Sequence, residues 1–336
     1  MRLLIWGAGA IGGTIGAYLG RAGHEVTLID NVIEHVAAIN QRGIKITGPI
    51  DEFQCRLPAY TPGDLSNQYE TILLCVKSQH TQAATQALKP HLTDDGCVVS
   101  VQNGLNELLI REITGPERTV GAFVNFGADY MEPGVIHFGG LGAVVLGEID
   151  GQITPRLEAL HRAFLDFEAN AITTTNIWGY LWSKETYGAM LFVTALTDDS
   201  IADALANETY RDLYIAIGKE VLGVALKLGI EPEAFNGFNP HAFVPDADPD
   251  LSARSMDEMV AFNRKSAKTH SGIWRDLAVR KRPTEVSMYD LVVQEGQRAG
   301  HAMPLTERMI AMIHEIERGE RPMSTRNLDE LKASLL

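Results

Sequence analysis

The chain has 336 residues, of which 45% are hydrophobic and 21% charged, and its formal net charge is −14. The length predicts two domains, and the composition is that of a soluble globular protein. The negative charge argues against nucleic acid or an anionic membrane as a partner, because phosphates would repel the protein. Since no apolar run reaches the ~18 residues of a membrane span, we expect a cytoplasmic protein.

Short apolar runs alternate with helical stretches in the first half of the chain. Strands are predicted at 2–6, 25–29, 71–76, 97–101 and 119–124. Helical patterns lie between several of them, at 10–22, 33–42 and 79–89. This rhythm is typical of βαβ units in a parallel sheet. Glycine-rich residues 130–149 predict a hairpin extension, and 155–167 predict an amphipathic helix.

Long helical patterns dominate after residue 175. Apolar residues recur at helical spacing in 177–196, 204–229, 255–270, 285–299 and 304–318, whereas 235–252 are loop-like. The predicted architecture is an α/β domain over residues 1–175, followed by an all-α domain over 176–336. A cleft between two such domains is the expected ligand site.

The sequence GAGAIG follows the first predicted strand and opens a helix. This is the context in which G-x-G-x-x-G binds a dinucleotide. Gly7 permits a tight turn, Gly9 lets a pyrophosphate approach the backbone, and Gly12 allows close helix–strand packing. The helix start at Ala10 and Ile11 then offers amides and a positive dipole end to the phosphates. The alternative is a glycine-rich turn without a ligand.

Asp30 ends the second predicted strand, 18 residues after Gly12. An acid at this point accepts hydrogen bonds from a ribose 2′-hydroxyl and repels a 2′-phosphate. The segment that it begins, DNVIEHV, is neutral to acidic. The pattern favours NAD over NADP as the cofactor. A solvated aspartate at a strand end is the alternative.

Two further strand ends carry polar residues, Lys77 in TILLCVKSQ and Asn103 in CVVSVQNGL. Ligands of open α/β sheets bind at the carboxyl ends of strands. Lys77 is a candidate to contact cofactor phosphate, ribose or substrate, and Asn103 to contact the nicotinamide side or the reacting oxygen. A solvated lysine and a turn-forming Asn-Gly are the alternatives.

One lysine stands within the otherwise apolar and aromatic stretch IWGYLWSKETYGAMLFVTAL. At helical spacing one broad apolar face is predicted, formed by Trp178, Leu181, Trp182, Ala189, Phe192, Val193 and Leu196. Lys184 lies off that face, in line with Tyr187, Gly188 and Leu191. Taken alone, this pattern is usual for a surface lysine that extends past aromatic residues.

Several segments in order resemble the ketopantoate reductase (2-dehydropantoate 2-reductase) family: the glycine loop, VKSQ, QNG, LWSKETYGAMLFVTALT and RKRPTEVSMYDLVV. The resemblance covers nearly the whole chain. It implies a Rossmann domain joined to an all-α domain of the 6-phosphogluconate-dehydrogenase-like type. It also implies reduction of a 2-keto acid to a 2-hydroxy acid with a nicotinamide cofactor, usually NADPH.

The resemblance assigns roles to individual residues. Lys184 matches the general-acid lysine, and Glu285 matches the acid that contacts the substrate hydroxyl. Asn103 matches the active-site asparagine, and Lys77 the cofactor-proximal lysine. An ammonium suits this chemistry, because it stabilises the negative charge that develops on a carbonyl oxygen and then donates a proton. For Glu285 the alternative is an acid in the first turn of a helix.

Three departures from the family pattern bear on substrate and cofactor. Gly188 and Phe192 stand where the family usually has asparagines, four and eight residues after the lysine. We expect Gly188 to leave room that Tyr187 or a bulkier substrate fills. Ser271 matches a substrate-binding serine only approximately, with one extra residue before the glutamate. Asp30 stands where NADPH-using members have basic groups.

These observations predict an NAD(P)-dependent oxidoreductase that interconverts a keto acid and a hydroxy acid. NAD and a substrate other than pantoate are favoured, and a true ketopantoate reductase is the alternative. A non-catalytic nucleotide-sensing module is the alternative from another class, against which the retention of Lys184 and Glu285 argues. We expect no metal, since the histidines lack ligand spacing, and we expect reduced cysteines. The helical second domain suggests a homodimer.

Overall fold

The chain folds into two compact units, Met1–Ile177 and Trp178–Leu336. The structure, a computed structural model, describes residues 1–235, 237–265 and 269–335. None of the helices formed by these residues combines the length and the apolar character needed to cross a membrane. Cys55, Cys75 and Cys97 are free thiols.

The first unit contains two sheets. Its strands are β1 (Arg2–Trp6), β2 (Glu25–Ile29), β3 (Ile44–Thr47), β4 (Phe53–Cys55), β5 (Ala59–Tyr60), β6 (Tyr69–Leu74), β7 (Leu92–Ser100), β8 (Thr119–Val124), β9 (Gly127–Glu132), β10 (Val135–Gly140), β11 (Val144–Glu148) and β12 (Ile172–Thr173). In the described residues, the larger sheet has the order β12-β11-β8-β7-β6-β1-β2-β5 and the smaller one β4-β3-β10-β9. From β5 across to β8 every pairing is parallel, and β11 runs antiparallel to β8.

Helices of the first unit alternate with these strands. They are α1 (Ala10–Arg21), α2 (Ile33–Arg42), α3 (Thr81–Leu88), α4 (Glu107–Thr114) and α5 (Pro155–Phe164). The chain builds outward from β1 to β2 and then crosses back to place β6 on the other side of β1. The strand order therefore reverses at β1, which is the point of an open α/β sheet where ligands bind.

Strand β1 is buried on both faces of the sheet. Leu3 and Ile5 belong to one apolar cluster, while Leu4 and Trp6 belong to a second one. A parallel strand covered on both faces is continuously hydrophobic instead of alternating. The run of apolar residues in β1 follows from this position, and it fixes the strand whose end opens the glycine loop.

The second unit is built of helices. They are α6 (Ile177–Thr194), which begins at the last residue of the first unit, α7 (Ile201–Ala206), α8 (Arg211–Lys227), α9 (Pro249–Lys265), α10 (Gly272–Trp274), α11 (Tyr289–Arg298), α12 (Pro304–Glu317) and α13 (Thr325–Ala333). Helix α10 continues directly as a π-helix over Arg275–Arg280. The prediction of an α/β first half and an all-α second half is confirmed.

The structure corrects two predicted elements. The helix predicted at 204–229 is two helices, because Asn207 adopts an extended backbone with ψ 104° and its side chain accepts a hydrogen bond from the Thr209 amide. The predicted hairpin extension holds for β9 and β10, whereas β11 returns to the larger sheet beside β8. Residue 236 of the predicted loop and residues 266–268 of a predicted helix lie outside the described residues.

Candidate active site

Four neighbouring parallel strands of the first unit end at the same edge of the sheet. Across the order β2-β1-β6-β7, the residues that follow these ends include Asp30, Gly7, Lys77 and Asn103. This is the carboxyl edge on both sides of β1, where the strand order reverses. The structure therefore brings the cofactor residues predicted from the sequence together along one edge.

The glycine loop packs tightly against the sheet and then opens outward. Gly7 has φ +102°, and its amide donates to the Ile29 carbonyl at 2.8 Å. A Cβ on Gly12 would collide with the Gly7 carbonyl oxygen, whereas among the described residues nothing lies within 4 Å of a Cβ on Gly9. Helix α1 begins at Ala10 without a capping side chain. Ala10 and Ile11 are half-buried in its first turn, so this end suits an anion.

Asp30 is part of the glycine loop's hydrogen bonding. Its Oδ2 accepts from the Ala8 amide at 3.1 Å, and its Oδ1 accepts from the Val32 amide at 3.0 Å. The carboxylate is half-buried. Each carboxylate oxygen has a second lone pair, so both can also accept from a hydroxyl. The structure thus gives Asp30 a position against the loop that a merely solvated aspartate would lack.

Three carboxylates, that of Asp30 among them, act on the hydroxyl of Tyr130. Burial raises the pKa of the Tyr130 hydroxyl above its usual value, and the carboxylates of Asp30, Glu34 and Glu132 raise it further. These three acids therefore act on one point of the surface. A phosphate dianion placed beside them would be repelled, whereas a neutral hydroxyl would not.

A buried polar network, not predicted from the sequence, joins the Lys77 and Asn103 loops. The Gln102 amide donates to the carbonyl just before Lys77 and to the Thr81 hydroxyl, both at 2.8 Å. Thr81 donates to Asn106 Oδ1 at 2.8 Å, and Asn106 Nδ2 donates to the Asn103 carbonyl at 2.6 Å. Lys77 is half-buried and Asn103 is exposed. A polar residue directly after an apolar strand, as in VVSVQ, was the available signal for Gln102.

In the second unit, Lys184 lies on the less buried side of α6. Lys184, Tyr187, Gly188 and Leu191 are all half-buried, whereas Trp182 on the opposite side is 1% exposed. The predicted division of the helix into a buried face and a partly open face is therefore observed, except that Trp178 of the predicted apolar face is only half-buried. This side of α6 carries the candidate proton donor.

Tyr187 belongs to an aromatic cluster. Its ring centroid lies 5.5 Å from that of Phe238 and 6.3 Å from that of Phe235. Its hydroxyl accepts from Asn263 Nδ2 at 3.2 Å. Burial raises the pKa of the Tyr187 hydroxyl, and the bond from Asn263 offsets part of that rise. The ring is thus held in place one turn from Lys184.

Ser271 has a structural task in the second unit. It is 2% exposed, and its Oγ accepts from the Trp274 amide at 3.1 Å at the start of α10. The chain between Ser271 and Glu285 contains the π-helix Arg275–Arg280.

Glu285 precedes a short helical turn at Val286–Met288, and in the described part of the chain its side chain does not cap that turn. Glu285 thus lies at the start of a helical turn, which agrees with the alternative of an acid at a helix start. The capping side chain is that of Thr284, whose Oγ accepts from the Val286 amide at 3.1 Å. The Thr284 amide and hydroxyl both donate to Glu317 Oε1 at 2.7 Å. The backbone before Glu285 is thus anchored to α12.

Comparison with known proteins decides the family. Residues 3–151 match the family described as Ketopantoate reductase PanE/ApbA, and residues 176–317 match the family described as Ketopantoate reductase PanE/ApbA C terminal. The chain belongs to the ketopantoate reductase family. The motif resemblance is thereby confirmed. Membership makes the chain an oxidoreductase that acts on a keto acid and hydroxy acid pair with a nicotinamide cofactor.

Individual relatives agree with this family. The 2-dehydropantoate 2-reductase of Pyrococcus horikoshii is 30% identical over 237 residues, which are 69% of this chain and 75% of the relative. A PanE/ApbA family ketopantoate reductase of Ralstonia eutropha JMP134 has a TM-score of 0.79 and 25% identity, over 95% of this chain and 99% of its own. D-mandelate dehydrogenase, solved with NADH and anilino(oxo)acetate, has a TM-score of 0.81 at 23% identity, over 95% and 99% of the two chains.

The two asparagine positions of the ketopantoate reductase pattern both face Tyr289 in this chain. A Cβ on Gly188 would lie 2.6 Å from the Tyr289 hydroxyl, and the Phe192 ring packs edge-on at 5.2 Å from the Tyr289 ring. The hydroxyl is itself held, because it donates to the Glu185 carbonyl at 2.6 Å. A side chain at position 188 would therefore meet Tyr289, a neighbour that we did not predict from the sequence.

We expect Gly188→Ala to destabilise the protein by about 1–3 kcal/mol, because the new methyl group overpacks against the Tyr289 hydroxyl. This effect has to exceed the ~1 kcal/mol that alanine gains over glycine in a helix. In a Tyr289→Phe background the same change should cost less, so the double-mutant cycle is non-additive. Denaturant unfolding measures all four proteins. Equal costs in both backgrounds would contradict the contact.

Proposed function

We propose that the chain interconverts a 2-keto acid and a 2-hydroxy acid with NAD(H), and that the acid has an apolar side chain. The observation that carries the cofactor choice is the 3.1 Å hydrogen bond from the Ala8 amide to Asp30 Oδ2. It puts a carboxylate against the loop whose helix suits the cofactor's phosphates. In this proposal Met1–Ile177 binds the dinucleotide and Trp178–Leu336 carries the substrate residues.

The residues at the sheet edge fit a dinucleotide. The backbone of Gly7, Gly9 and Gly12, with the amides of Ala10 and Ile11, would hold the pyrophosphate at the uncapped start of α1. Asp30, Lys77 and Asn103 complete the proposed set of cofactor contacts: Asp30 would accept from the adenosine ribose, and Lys77 and Asn103 would contact the remainder of the cofactor.

The acid cluster supports NAD over NADP. Asp30 carries the charge directly beside the loop, and Glu34 and Glu132 lie close enough to act on the same tyrosine hydroxyl as Asp30. Discrimination against a 2′-phosphate by this arrangement is electrostatic. A protein of the same fold, D-mandelate dehydrogenase, has been solved with NADH, so the fold accommodates that cofactor.

The proposed proton donor and acceptor is Lys184. A nicotinamide ring bound to the enzyme would supply the hydride for the carbonyl carbon. The Lys184 ammonium would stabilise the charge that develops on the carbonyl oxygen and donate the proton that completes the hydroxyl. In the oxidising direction the neutral amine accepts that proton. Glu285 would contact the same hydroxyl and orient it.

The surroundings of Lys184 support an apolar substrate side chain. At the two positions where the family usually has amides, this chain has no side chain at Gly188 and an aromatic ring at Phe192. Neither position offers an amide to a substrate: the Phe192 ring is 2% exposed and packs on Tyr289, and a side chain at position 188 would meet the Tyr289 hydroxyl, which donates to a backbone carbonyl. Tyr187 and Leu191 complete the partly open side of α6. A hydroxylated side chain would find fewer polar partners here, and a buried polar group without a partner costs binding energy. Of the three residues proposed to lie near the substrate, Tyr187, Gly188 and Ser271, the last has the least support, because Ser271 is buried and caps α10.

True ketopantoate reductase activity is the second candidate. The observation in its favour is the similarity to curated relatives such as the Pyrococcus horikoshii 2-dehydropantoate 2-reductase, 30% identical over 69% of this chain. The two candidates share the reaction type and the catalytic lysine. They differ in whether the enzyme recognises a hydroxyl group on the side chain of the substrate.

Steady-state assays with a panel of 2-keto acids and 2-hydroxy acids, each with the NAD and the NADP form of the cofactor, test the proposal. The panel includes ketopantoate, 4-methyl-2-oxopentanoate, phenylpyruvate and phenylglyoxylate. We expect the highest kcat/KM for an apolar 2-keto acid with NADH. Turnover of ketopantoate alone would favour the second candidate. No turnover of any acid with either cofactor would contradict both.

A further inference from the structure

The buried histidine His35 connects the glycine loop to the β9–β10 hairpin. It is 1% exposed, its Nε2 lies 2.9 Å from the Ala8 carbonyl oxygen, and its Nδ1 lies 2.9 Å from the Gly134 amide nitrogen. A carbonyl only accepts and an amide only donates, so Nε2 carries the proton and Nδ1 does not. Both bonds are therefore made by one neutral tautomer. They join parts of the chain that lie far apart in sequence.

Ala8 is fixed from two directions as a result. Its amide donates to Asp30 Oδ2 at 3.1 Å, and its carbonyl accepts from His35. Ala8 stands between Gly7, with φ +102°, and Gly9, at the turn that leads into α1. Two glycines leave this segment little intrinsic stiffness. The bonds to Asp30 and His35 restrain this segment together with the bonds that the Gly7 and Ala8 amides donate to the Ile29 carbonyl.

The same histidine also contacts the β9–β10 hairpin through a second residue, Tyr130. The Tyr130 ring on β9 packs edge-on against the His35 ring, with centroids 5.1 Å apart. Tyr130 is 39% exposed, so one side of it faces solvent, and the charges of Asp30 and Glu34 raise the pKa of its hydroxyl. Gly134 lies in the turn between β9 and β10, directly bonded to His35. Hairpin, histidine and loop thus form one connected group.

We infer that His35 is a positioning residue of the cofactor site, which holds the glycine loop and the Tyr130 hairpin in register around the adenosine side of NAD. This inference rests on the proposed function, since it assigns a role toward the same cofactor. His35 does not touch the reacting atoms. Its loss therefore raises the dissociation constant and KM for NADH and leaves kcat nearly unchanged.

Two variants test the two hydrogen bonds of His35 separately. In His35→Gln the side-chain amide reaches the position of Nε2 and keeps a donor for Ala8, whereas in His35→Asn the amide oxygen reaches the position of Nδ1 and keeps an acceptor for Gly134. The matched control is His161→Gln. His161 lies on α5 of the same unit, and its Nε2 lies 2.7 Å from the Ala171 carbonyl oxygen. For each protein, the thermal midpoint, the NADH dissociation constant by fluorescence, KM and kcat are measured.

We expect each His35 variant to raise the NADH dissociation constant roughly tenfold, and His161→Gln to leave it unchanged. If the wild type binds NADH and either His35 variant binds it equally well, the inference about His35 is overturned and the proposed function is not. A wild type that binds neither NADH nor NADPH would overturn the proposed function and this inference with it. If neither His35 variant folds, NADH binding is measured for Tyr130→Ala, which changes an exposed side chain. Weaker NADH binding by this variant supports the inference, and unchanged binding overturns it.

Discussion

Replacing Lys184 with alanine is expected to lower kcat by about 10²- to 10⁴-fold and to leave the dissociation constant for NADH unchanged. The reason is that the lysine lies on the partly open side of α6, whereas the proposed cofactor residues all belong to the first unit. Single-turnover reduction and NADH fluorescence titration measure the two effects separately.

Two further variants sharpen this test. Lys184→Arg keeps the positive charge, but a guanidinium holds its proton too firmly to donate it, so kcat should stay low. Lys219→Ala removes a lysine from α8 of the same unit, where Nζ donates to the Pro245 carbonyl at 3.1 Å, and should leave kcat unchanged. Wild-type turnover by Lys184→Ala would exclude the lysine as the proton donor.

Asp30→Asn is expected to lower the preference for NADH over NADPH by about 10²-fold, measured as the ratio of the two kcat/KM values. A unit charge a few ångströms from a phosphate contributes on the order of 4 kcal/mol at the effective dielectric of a protein surface, before salt screening. Asparagine removes the charge and keeps one oxygen acceptor, for the Ala8 amide, but it loses the second oxygen, which accepts from the Val32 amide. The loss of the charge should raise kcat/KM with NADPH, and the loss of the second acceptor should lower kcat/KM with NADH to a smaller extent.

Glu25→Gln is the matched control for this charge change. Glu25 begins β2, the strand that Asp30 follows, so it lies at the opposite end of the same strand, where it pairs with Arg2 at 3.0 Å. Neutralising it should leave the cofactor preference unchanged. A wild-type enzyme that prefers NADPH, or an Asp30→Asn variant with the wild-type ratio, would contradict the role given to Asp30.

The sheet edge was predictable because its signals are local. The strand RLLIW, the glycine loop and Asp30 each follow from short-range pattern, and the structure lines their ends up because parallel neighbours end at the same edge. Gln102, Thr81 and Asn106 form contacts between separate strand ends, and a single sequence carries no pairing information for such contacts. For the same reason His35 was not predicted, since its partner Gly134 is 99 residues away.

The helical unit was predictable in class and less so in detail. The periodicity gave the two faces of α6, because burial of one side of a helix repeats with the helical turn. It did not show that a side chain at position 188 would meet Tyr289, since this depends on how α11 packs against α6. Apolar periodicity also continued past Asn207, where the backbone breaks the helix. An extended residue with a capping side chain does not interrupt a hydrophobic pattern.

The claim that the enzyme reduces apolar 2-keto acids with NADH is tested most directly by one matched pair of substrates. Ketopantoate and 3,3-dimethyl-2-oxobutanoate differ only in the hydroxyl group of the side chain. A site built to bind that hydroxyl rejects the analogue lacking it by up to ~10⁴-fold, whereas an apolar site discriminates weakly in the other direction. We predict an NADH-dependent kcat/KM for 3,3-dimethyl-2-oxobutanoate equal to or above that for ketopantoate. A preference for ketopantoate of more than about 10²-fold would contradict the proposal.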